Sequence, residues 1–449
     1  MEQVRSVHQG RQAMVGAPGT VLQLPYEVAV SHIEAELCAA LHAALATTGA
    51  TGDHGGYALC GACEATEELL ELCERVSAPD CRDDTWDAVM YHRIGLSWKT
   101  RRPELIWLDD KVVQVQRVAE LLDGEPLHLP LLAHAHDAPS LLEMQRIVLE
   151  HAKDNEPLVV KPRHGANSCF VFLWPSPKEV NVEEIFQSVE AAMAGEDRSW
   201  EKECWQLSQV PKGAVLQPMY QIAVDRGSAG GPRSRAAPME LKVQVLFGRV
   251  VGATLNTHPQ PLWVARTGVI QLWDAEDLVQ RGQVRCKSLD RCYGRKLPEQ
   301  LLEQLQEALA SDWLFIRDTS ERLCRAAGLD ELRVDWLLGD AKWGARIGEL
   351  TYMGAGSRVS PPLAMRLARA FAAGHLLRRQ RMRLEEDSAA EPLWPLTAER
   401  GKKVARQKVS DLCHVATSVR ELPDAALPGE FSEEMRNNAK EAGLVVEET

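Results

Sequence analysis

The stretch RVDWLLGDAKWGARIGELTYMGAG, residues 333–356, decides the fold of this sequence. Two mostly apolar runs, Arg333–Leu338 and Ala345–Leu350, flank a short polar connection, which predicts a β-hairpin. Each run carries one carboxylate among apolar neighbours, Asp335 in the first and Glu349 in the second. Because an unpaired buried carboxylate is costly, two of them on adjacent strands require a cation, a metal or a proton between them.

Arg333 stands two residues before Asp335, so both side chains point to the same face of the predicted strand. We interpret these residues and Glu349 as a magnesium–phosphate site, because magnesium takes oxygen ligands and an arginine stabilises phosphate charge. The alternative is a buried cluster of Arg–Asp–Glu ion pairs that binds no ligand.

Composition and charge limit the class of protein. The chain has 449 residues and 45% apolar content, enough for a large core divided between two or three domains. Its net charge of −13 provides no overall attraction to nucleic acid or to an anionic membrane. No apolar run is long enough to span a membrane, and the first residues lack the apolar core of a secretory signal. We therefore expect a cytoplasmic protein with mostly free thiols.

A cysteine pair near the N-terminus has two interpretations. The segment CGAC at residues 60–63 is spaced like half of a zinc site, and His54 is near it. However, no second Cys-x-x-Cys follows, and Cys73 falls within a helical pattern. Buried thiols are the preferred interpretation, and metal binding by Cys60 and Cys63 stays open.

A second informative segment lies between residues 158 and 174. The apolar strand Leu158–Lys161 ends in a lysine, and a turn of small residues leads into a returning strand, Cys169–Trp174. Such a turn can fold backbone amides over phosphate oxygens, with Lys161 reaching the same charge. The alternative is an ordinary hairpin.

Two other lysines are placed where they could meet an anion. Lys111 stands in the first turn of a predicted helix capped by Asp109, where a cation is unfavourable unless an anion sits nearby. Lys242 alternates with apolar residues in the predicted strand Glu240–Phe247, so it either points into a site or is exposed.

Three further patterns concern the scaffold. Ala214–Val224 is predicted to be a strand, in which Pro218 indicates an edge or a bend. Two helices are predicted later in the chain, Leu297–Trp313 and Asp318–Ala327. The second would be capped by Asp318 and followed by a glycine.

Taken in order, these features resemble the ATP-grasp superfamily, most closely its TupA-like branch, which is associated with teichuronopeptide biosynthesis. The resemblance covers roughly residues 105–375. It rests on Asp110-Lys111, Val160-Lys161-Pro162 with His164-Gly165, Leu241-Lys242-Val243 before Phe247-Gly248, Arg333-Val334-Asp335 and Gly348-Glu349-Leu350-Thr351. The order and spacing of these motifs carry the resemblance, because none of them is specific alone.

The resemblance implies an α+β chain with the ATP-grasp fold, in which two α+β subdomains grip ATP, preceded by a helical region. The implied boundaries are a helical N-terminal region at 1–105, an ATP-grasp N-terminal subdomain at 106–155, a lid subdomain at 156–225, a catalytic subdomain at 238–384 and a C-terminal tail at 385–449.

The resemblance also implies residue roles. Lys111 and Lys161 would contact the nucleotide phosphates. The mobile loop over the phosphates would be formed by Arg163, His164, Gly165, Ala166, Asn167 and Ser168. Adenine would be read by Gln217 and the backbone through Met219 and Tyr220, and the ribose by Asp225. Lys242 and Arg333 would neutralise the transferring phosphate, and Asp335 and Glu349 would hold two magnesium ions.

Three features depart from the family pattern. Many relatives have a glutamate where this chain has Gln217, and many ligases have an asparagine where it has Thr351. The segment 225–238 is an insertion.

In the turn after the hairpin, Arg358 either binds a substrate carboxylate or serves as a helix-entry arginine.

The implied activity is an ATP-dependent carboxylate–amine ligase that forms an amide or peptide bond through an acyl phosphate, with ATP and Mg²⁺. The expected partners are a small-molecule carboxylate and a small-molecule amine, with no nucleic acid and no membrane. The alternatives are a kinase on the same fold, which phosphorylates a small molecule, and a non-catalytic ATP-binding protein. The sequence leaves the substrates and the oligomeric state open.

Overall fold

A computed structural model provides the fold. It describes residues 16–24, 32–33, 35–37, 39–40, 73, 86–165, 170–179, 181–194, 204–220, 239–256, 262–273, 299–354, 364 and 366–375. Helices and strands are mixed along these segments, which confirms the α+β class. No helix within the described residues is long and apolar enough to cross a membrane.

The helices and strands have the following bounds. The helices are α1 (Trp86–Thr100), α2 (Lys111–Leu121), α3 (Ala138–Lys153), α4 (Val182–Ala194), α5 (Trp205–Ser208) and α6 (Glu299–Ala326). The strands are β1 (Val21–Gln23), β2 (Ala133–Ala135), β3 (Leu158–Pro162), β4 (Phe172–Trp174), β5 (Ala214–Pro218), β6 (Met239–Leu246), β7 (Arg249–Leu255), β8 (Leu262–Val264), β9 (Ile270–Leu272), β10 (Glu331–Leu338) and β11 (Arg346–Thr351). Residues 366–375 are also helical.

The described residues fall into two compact units. Unit 1 contains residues up to Leu96, the segment Leu241–Val334 and the residues from Met353 onward. Unit 2 contains Ser97–Glu240 and Asp335–Tyr352. Each unit is therefore assembled from segments that are far apart in the chain.

Unit 1 is built on a sheet with the strand order β1-β9-β8-β7-β6-β10. β1 is parallel to β9, whereas the pairs β9–β8, β8–β7 and β7–β6 are antiparallel. The prediction of two helices before β10 is wrong, because α6 is one helix of 28 residues and Asp318 lies inside it. Residues 299–317 include no glycine or proline, so nothing in them ends the helix before Asp318. Gly328, with φ +66°, follows the end of α6.

Four buried charged residues in unit 1 form what we call the core ion cluster: Arg93, Asp330, Glu331 and His375. Arg93 donates to both Asp330 oxygens at 2.9 and 3.1 Å and to Glu331 at 3.0 Å. The His375 Nε2 lies 2.9 Å from Asp330, and the amide of Met353 donates to Glu331 at 3.0 Å. Burial raises the pKa of Glu331 to about 7. The positive charge of Arg93 acts in the opposite direction, but its effect is smaller.

Unit 2 contains a four-stranded antiparallel sheet with the order β2-β5-β3-β4. One face packs on α3 and α4 through alternate strand residues such as Leu158 and Val160. The prediction that Pro218 marks an edge strand or a bend is corrected, because β5 lies between β2 and β3 and Pro218 is its last residue. At that position the proline, which has no N–H, ends the strand rather than bending it.

The predicted hairpin strands are confirmed as β10 and β11, which are neighbours in their sheet. In unit 2, β11 is also joined to the segment after α2, because the Ile347 amide donates to the Leu127 carbonyl at 2.9 Å. The cap of α2 is Asp110 and not Asp109, as predicted. The Asp110 carboxylate accepts from the amides of Val112 and Val113, whereas Asp109 ends the preceding 3-10 helix.

Candidate active site

A pocket in unit 2 brings together many of the predicted site residues; we call it the lysine pocket. It is lined by Lys111, Leu129, Val159, Lys161, Pro162, Gly165, Val171, Leu173, Gln217, Met219, Tyr220, Glu240, Leu337, Ile347, Gly348 and Glu349. Its volume is about 190 Å³. Small-molecule sites usually measure roughly 300–1,000 Å³, so a nucleotide fits only in part between these walls.

The alternation of β3 explains why Lys161 faces this pocket. Leu158 and Val160 point into the core under α3 and α4, so Val159 and Lys161 point to the opposite face. On β5, Gln217 pairs with Val159 and shares that face. The sheet therefore presents a lysine, an amide and apolar side chains on one surface.

Lys111 reaches the same surface because the start of α2 is tied to the end of β3. The Arg163 guanidinium donates to both oxygens of the helix cap Asp110, at 2.8 and 2.5 Å. From the first turn of α2, the Lys111 ammonium donates to the Gly165 carbonyl and lies 3.4 Å from a Glu349 oxygen. Three segments distant in the chain thus meet at one point.

Two lysines and two glutamates line the lysine pocket, and burial sets their effects on one another. The pKa of Lys161 is lowered to about 8, first by its burial and then by the positive charge of Lys111. Glu349 and Glu240 oppose this shift without cancelling it. A phosphate bound beside both lysines would remove the repulsion between them, so the geometry and the charge both favour an anionic ligand.

The end of the pocket near β5 is mostly apolar and carries few polar groups. The Gln217 side-chain amide donates to the Leu129 carbonyl at 3.1 Å, which fixes its orientation. The Tyr220 hydroxyl donates to the Gly344 carbonyl at 2.8 Å and accepts from the Asp340 amide at 3.1 Å. This end can surround a flat base with apolar contacts and a few oriented polar groups.

His164 has a structural role in the segment after β3. Its ring is buried, and its Nδ1 accepts from the Gly213 amide at 3.3 Å. The ring does not line the lysine pocket, whereas the neighbouring Gly165 does. Of the two, Gly165 is therefore the residue placed to meet a ligand.

The two carboxylates of the hairpin differ in exposure. The Glu349 side chain is 42% exposed and lines the pocket. Asp335 is fully buried and lies two residues before Leu337, which does line it. Within the described residues no three His, Cys, Asp or Glu side chains cluster around a possible metal. A magnesium ion held by Asp335 and Glu349 would thus need its other ligands from phosphate and water.

The remaining predicted residues divide into two groups. Lys242 on β6 and Arg333 on β10 belong to unit 1. The others lie outside the residues that the structure describes: Ala166, Asn167, Ser168, Asp225, the insertion 225–238, Arg358, Cys60 and Cys63.

Two residues near Lys161 were not among the site residues predicted from the sequence. Glu240 lines the pocket and attracts Lys161, and its alternation with Lys242 along β6 would have indicated a shared face. His128 is buried. Burial is the main cause that lowers its pKa to about 3, and the positive charge of Lys161 is the second, so the ring is neutral. Its Nε2 has no hydrogen-bond partner in the described part of the chain. No sequence pattern marks His128.

No protein-family model matches the chain, and no curated protein matches it. Among solved structures, it is similar to a biotin carboxylase from Campylobacter jejuni (12% identity, TM-score 0.36), with 65% of this chain and 52% of that chain covered. A D-cycloserine synthetase has 15% identity and a TM-score of 0.34, with 80% and 100% covered. D-alanyl-alanine synthetase A from Vibrio cholerae has 12% identity and a TM-score of 0.32, with 60% and 65% covered.

The chain thus spans about half the length of the biotin carboxylase. TM-scores of 0.32 to 0.36 are too low to carry an argument about family or activity. The residues of the lysine pocket are therefore the basis on which a function can be assigned.

Proposed function

We propose that the lysine pocket binds Mg-ATP and that the chain is an ATP-grasp enzyme of the TupA-like branch. The proposed reaction joins a small-molecule carboxylate to an amine in the cytoplasm. The observation that supports it is the meeting of Lys111 and Lys161 beside Glu349, with the pKa of Lys161 lowered by burial and by the charge of Lys111.

In this proposal the phosphates lie beside the two lysines and the base lies near β5. Val159, Leu173 and Leu337 supply apolar walls for a flat base. Gln217 and the segment through Tyr220 supply the polar contacts. The adenine role of Gln217 and Met219 rests on the resemblance and on their place in the lining.

Asp335 and Glu349 are the proposed magnesium ligands, and two bound ions would neutralise phosphate charge. Glu349 now has the Lys111 ammonium as its neighbour. A metal ion therefore competes with Lys111 for this carboxylate. Once displaced, Lys111 can turn to the phosphates and release the Gly165 carbonyl.

The proposed chemistry has two steps. A substrate carboxylate oxygen attacks the γ-phosphorus of ATP, and ADP leaves, which produces an acyl phosphate. The amine then attacks the acyl carbon, loses a proton, and expels inorganic phosphate. Because the site positions reactants and stabilises charge, it needs no nucleophilic side chain. Lys242 and Arg333 are proposed to neutralise the transferring phosphate, and Arg358 to bind the substrate carboxylate.

The contacts proposed for Ala166, Asn167 and Ser168 with phosphate, and for Asp225 with ribose, are part of the same proposal. A loop over the phosphates would protect the acyl phosphate from water. Substitution of any of these residues should weaken Mg-ATP binding, which is measured by the same titration as for the lysines.

The test is a screen for ADP release over pairs of carboxylates and amines, combined with calorimetric titration of Mg-ATP. We expect ADP release that requires both an acid and an amine. Lys161→Met should weaken Mg-ATP binding, whereas the control Lys178→Met, at an exposed position, should not. ADP release that requires only a hydroxyl acceptor would indicate a kinase and not a ligase. Tight Mg-ATP binding without turnover would indicate a non-catalytic ATP-binding protein. Absence of Mg-ATP binding would refute the proposal.

A further inference from the structure

Unit 2 contains a second pocket that the proposed ligase reaction does not use; we call it the proline pocket. Its walls include Pro130, Pro157, Pro218 and Met219. Met219 also lines the lysine pocket, so the two pockets share one wall. The volume is about 500 Å³, within the range of roughly 300–1,000 Å³ that small-molecule sites occupy.

The walls of the proline pocket are suited to an aromatic ring. Three proline rings and the indole of Trp343 form flat, apolar surfaces, with Leu132 beside them. Prolines and tryptophan have few rotatable bonds, so contact with a flat ligand immobilises little side-chain freedom.

The pocket is held in shape by hydrogen bonds within the chain. The Asp340 carboxylate accepts from the amides of Lys342 and Trp343 at 2.8 and 3.3 Å, which fixes the turn that carries the indole. The Tyr220 hydroxyl bridges the Asp340 amide and the Gly344 carbonyl. A ligand would thus meet a preformed surface and would not have to order it.

Two carboxylates and one lysine line this pocket, and both carboxylates are hydrogen-bonded within the chain. Glu156 is paired with His151, and Asp340 is engaged by backbone amides. The Lys342 ammonium lies 4.8 Å from the centre of the Trp343 ring and forms no ion pair in the part of the chain that the structure describes. An aromatic surface beside an unpaired cation complements a ligand that carries a ring and a carboxylate.

We propose that the proline pocket binds an aromatic carboxylate, with its ring against Trp343 and the prolines and its carboxylate at Lys342. We further infer that this ligand alters nucleotide binding, because Met219 belongs to both pockets and Tyr220 joins the lysine pocket to the turn at Asp340. The second part rests on the proposed function, whereas the first does not. The carboxylate at Lys342 serves for recognition and takes no part in the reaction at Lys111 and Lys161.

The binding test is calorimetric titration of the full chain with indole-3-carboxylate, and with indole-3-carboxamide as an uncharged control. We expect saturable binding of the carboxylate and about tenfold weaker binding of the amide, the effect of one lost charge contact. Lys342→Gln should remove this preference by weakening only the carboxylate. Trp343→Leu should weaken both ligands, and Lys178→Gln, at an exposed position outside the pocket, should change neither. No saturable binding, or binding insensitive to both pocket variants, would overturn the proposal.

The coupling test repeats the titration with saturating Mg-ATP. We expect the dissociation constant of indole-3-carboxylate to change about fivefold, and by reciprocity that of Mg-ATP to change equally. An unchanged constant would overturn the coupling. If Mg-ATP does not bind at all, the proposed function fails, while the titration without nucleotide still decides whether the proline pocket is a site.

Discussion

The core ion cluster of unit 1 and the lysine pocket of unit 2 both gather charged side chains, but they pair them differently. In the core ion cluster, the Arg93 guanidinium meets two carboxylates at about 3 Å, and all four side chains are almost completely buried. In the lysine pocket, two ammonium groups lie close enough to repel each other, and Glu349 is 42% exposed. The first arrangement holds both carboxylates against one buried guanidinium, whereas the second places two ammonium groups side by side at a pocket wall.

This difference indicates how a cluster of charges should be interpreted. Buried ions are tolerated when each is paired and hydrogen-bonded, and removal of one partner then destabilises the fold. Like charges held together at a pocket wall are typical of binding and catalytic sites. We therefore expect substitutions in unit 1 to affect stability and substitutions in the lysine pocket to affect binding and turnover.

The largest effect is expected for Glu349→Gln. Loss of the carboxylate proposed to hold magnesium should reduce turnover about 10³-fold, because the phosphate charge would no longer be neutralised. The unfolding temperature should change little, since this side chain is half-exposed. Initial rates of ADP release measure the effect once a substrate pair is known. The control is Glu120→Gln, an exposed glutamate of α2, and equal rates for both variants would contradict the metal role.

The next largest effect is expected on the free energy of unfolding, for a substitution in the core ion cluster. Arg93→Ala leaves Asp330 and Glu331 buried without their cation, so we expect a loss of about 3–5 kcal/mol in the free energy of unfolding. Arg117→Ala removes a similar contact, with Glu120, at the exposed surface of α2 and should cost only about 0.5 kcal/mol. Denaturant titrations compare the two variants. Similar losses would show that the core ion cluster does not support unit 1.

Stability should also depend on pH through Glu331. Its pKa is raised from 4.5 to about 7 in the folded chain, so the folded state binds more protons than the unfolded state between these values. Its stabilising contribution is therefore complete below pH 4.5 and is lost as the pH rises to about 7, by roughly 3 kcal/mol. Besides Arg93, the charges that act on it are Asp330 and Arg333.

Glu331→Gln is the matched test of this dependence. The amide oxygen can still accept from Arg93 and Met353, but it does not titrate. We expect the unfolding temperature of this variant to fall less than that of the parent chain over the same pH range. Parallel curves for the two proteins would assign the pH dependence to another group.

The smallest effect concerns the pH dependence of binding in the lysine pocket. The pKa of Lys161 is lowered to about 8, so its ammonium is lost as the pH rises through that value. Bound phosphate would favour the charged form, and Mg-ATP affinity should therefore fall about tenfold by about pH 9. Calorimetry of Lys161→Arg, which stays charged, should give a flatter profile. A flat profile in the parent chain would show that Lys161 does not meet the phosphates.

Much of the fold followed from local patterns. The strand that ends at Lys161 was found within one residue of its bounds, and the hairpin strands within two residues. The errors arose where local signals were equivocal. Asp109 and Asp110 are adjacent and both can cap a helix, and only the hydrogen bonds to Val112 and Val113 distinguish them.

The sequence by itself placed Arg333 and Asp335 on one face of a strand, and placed two lysines and two carboxylates in strand or helix-start positions. Only the tertiary structure decided that Lys111, Lys161 and Glu349 meet, that Glu240 and His128 lie near them, and that a proline-lined pocket adjoins them. The physical reason is that side-chain direction follows from the period of the local backbone, which is written into neighbouring residues. Charge, burial and pKa depend on neighbours supplied by distant segments, which no local pattern encodes.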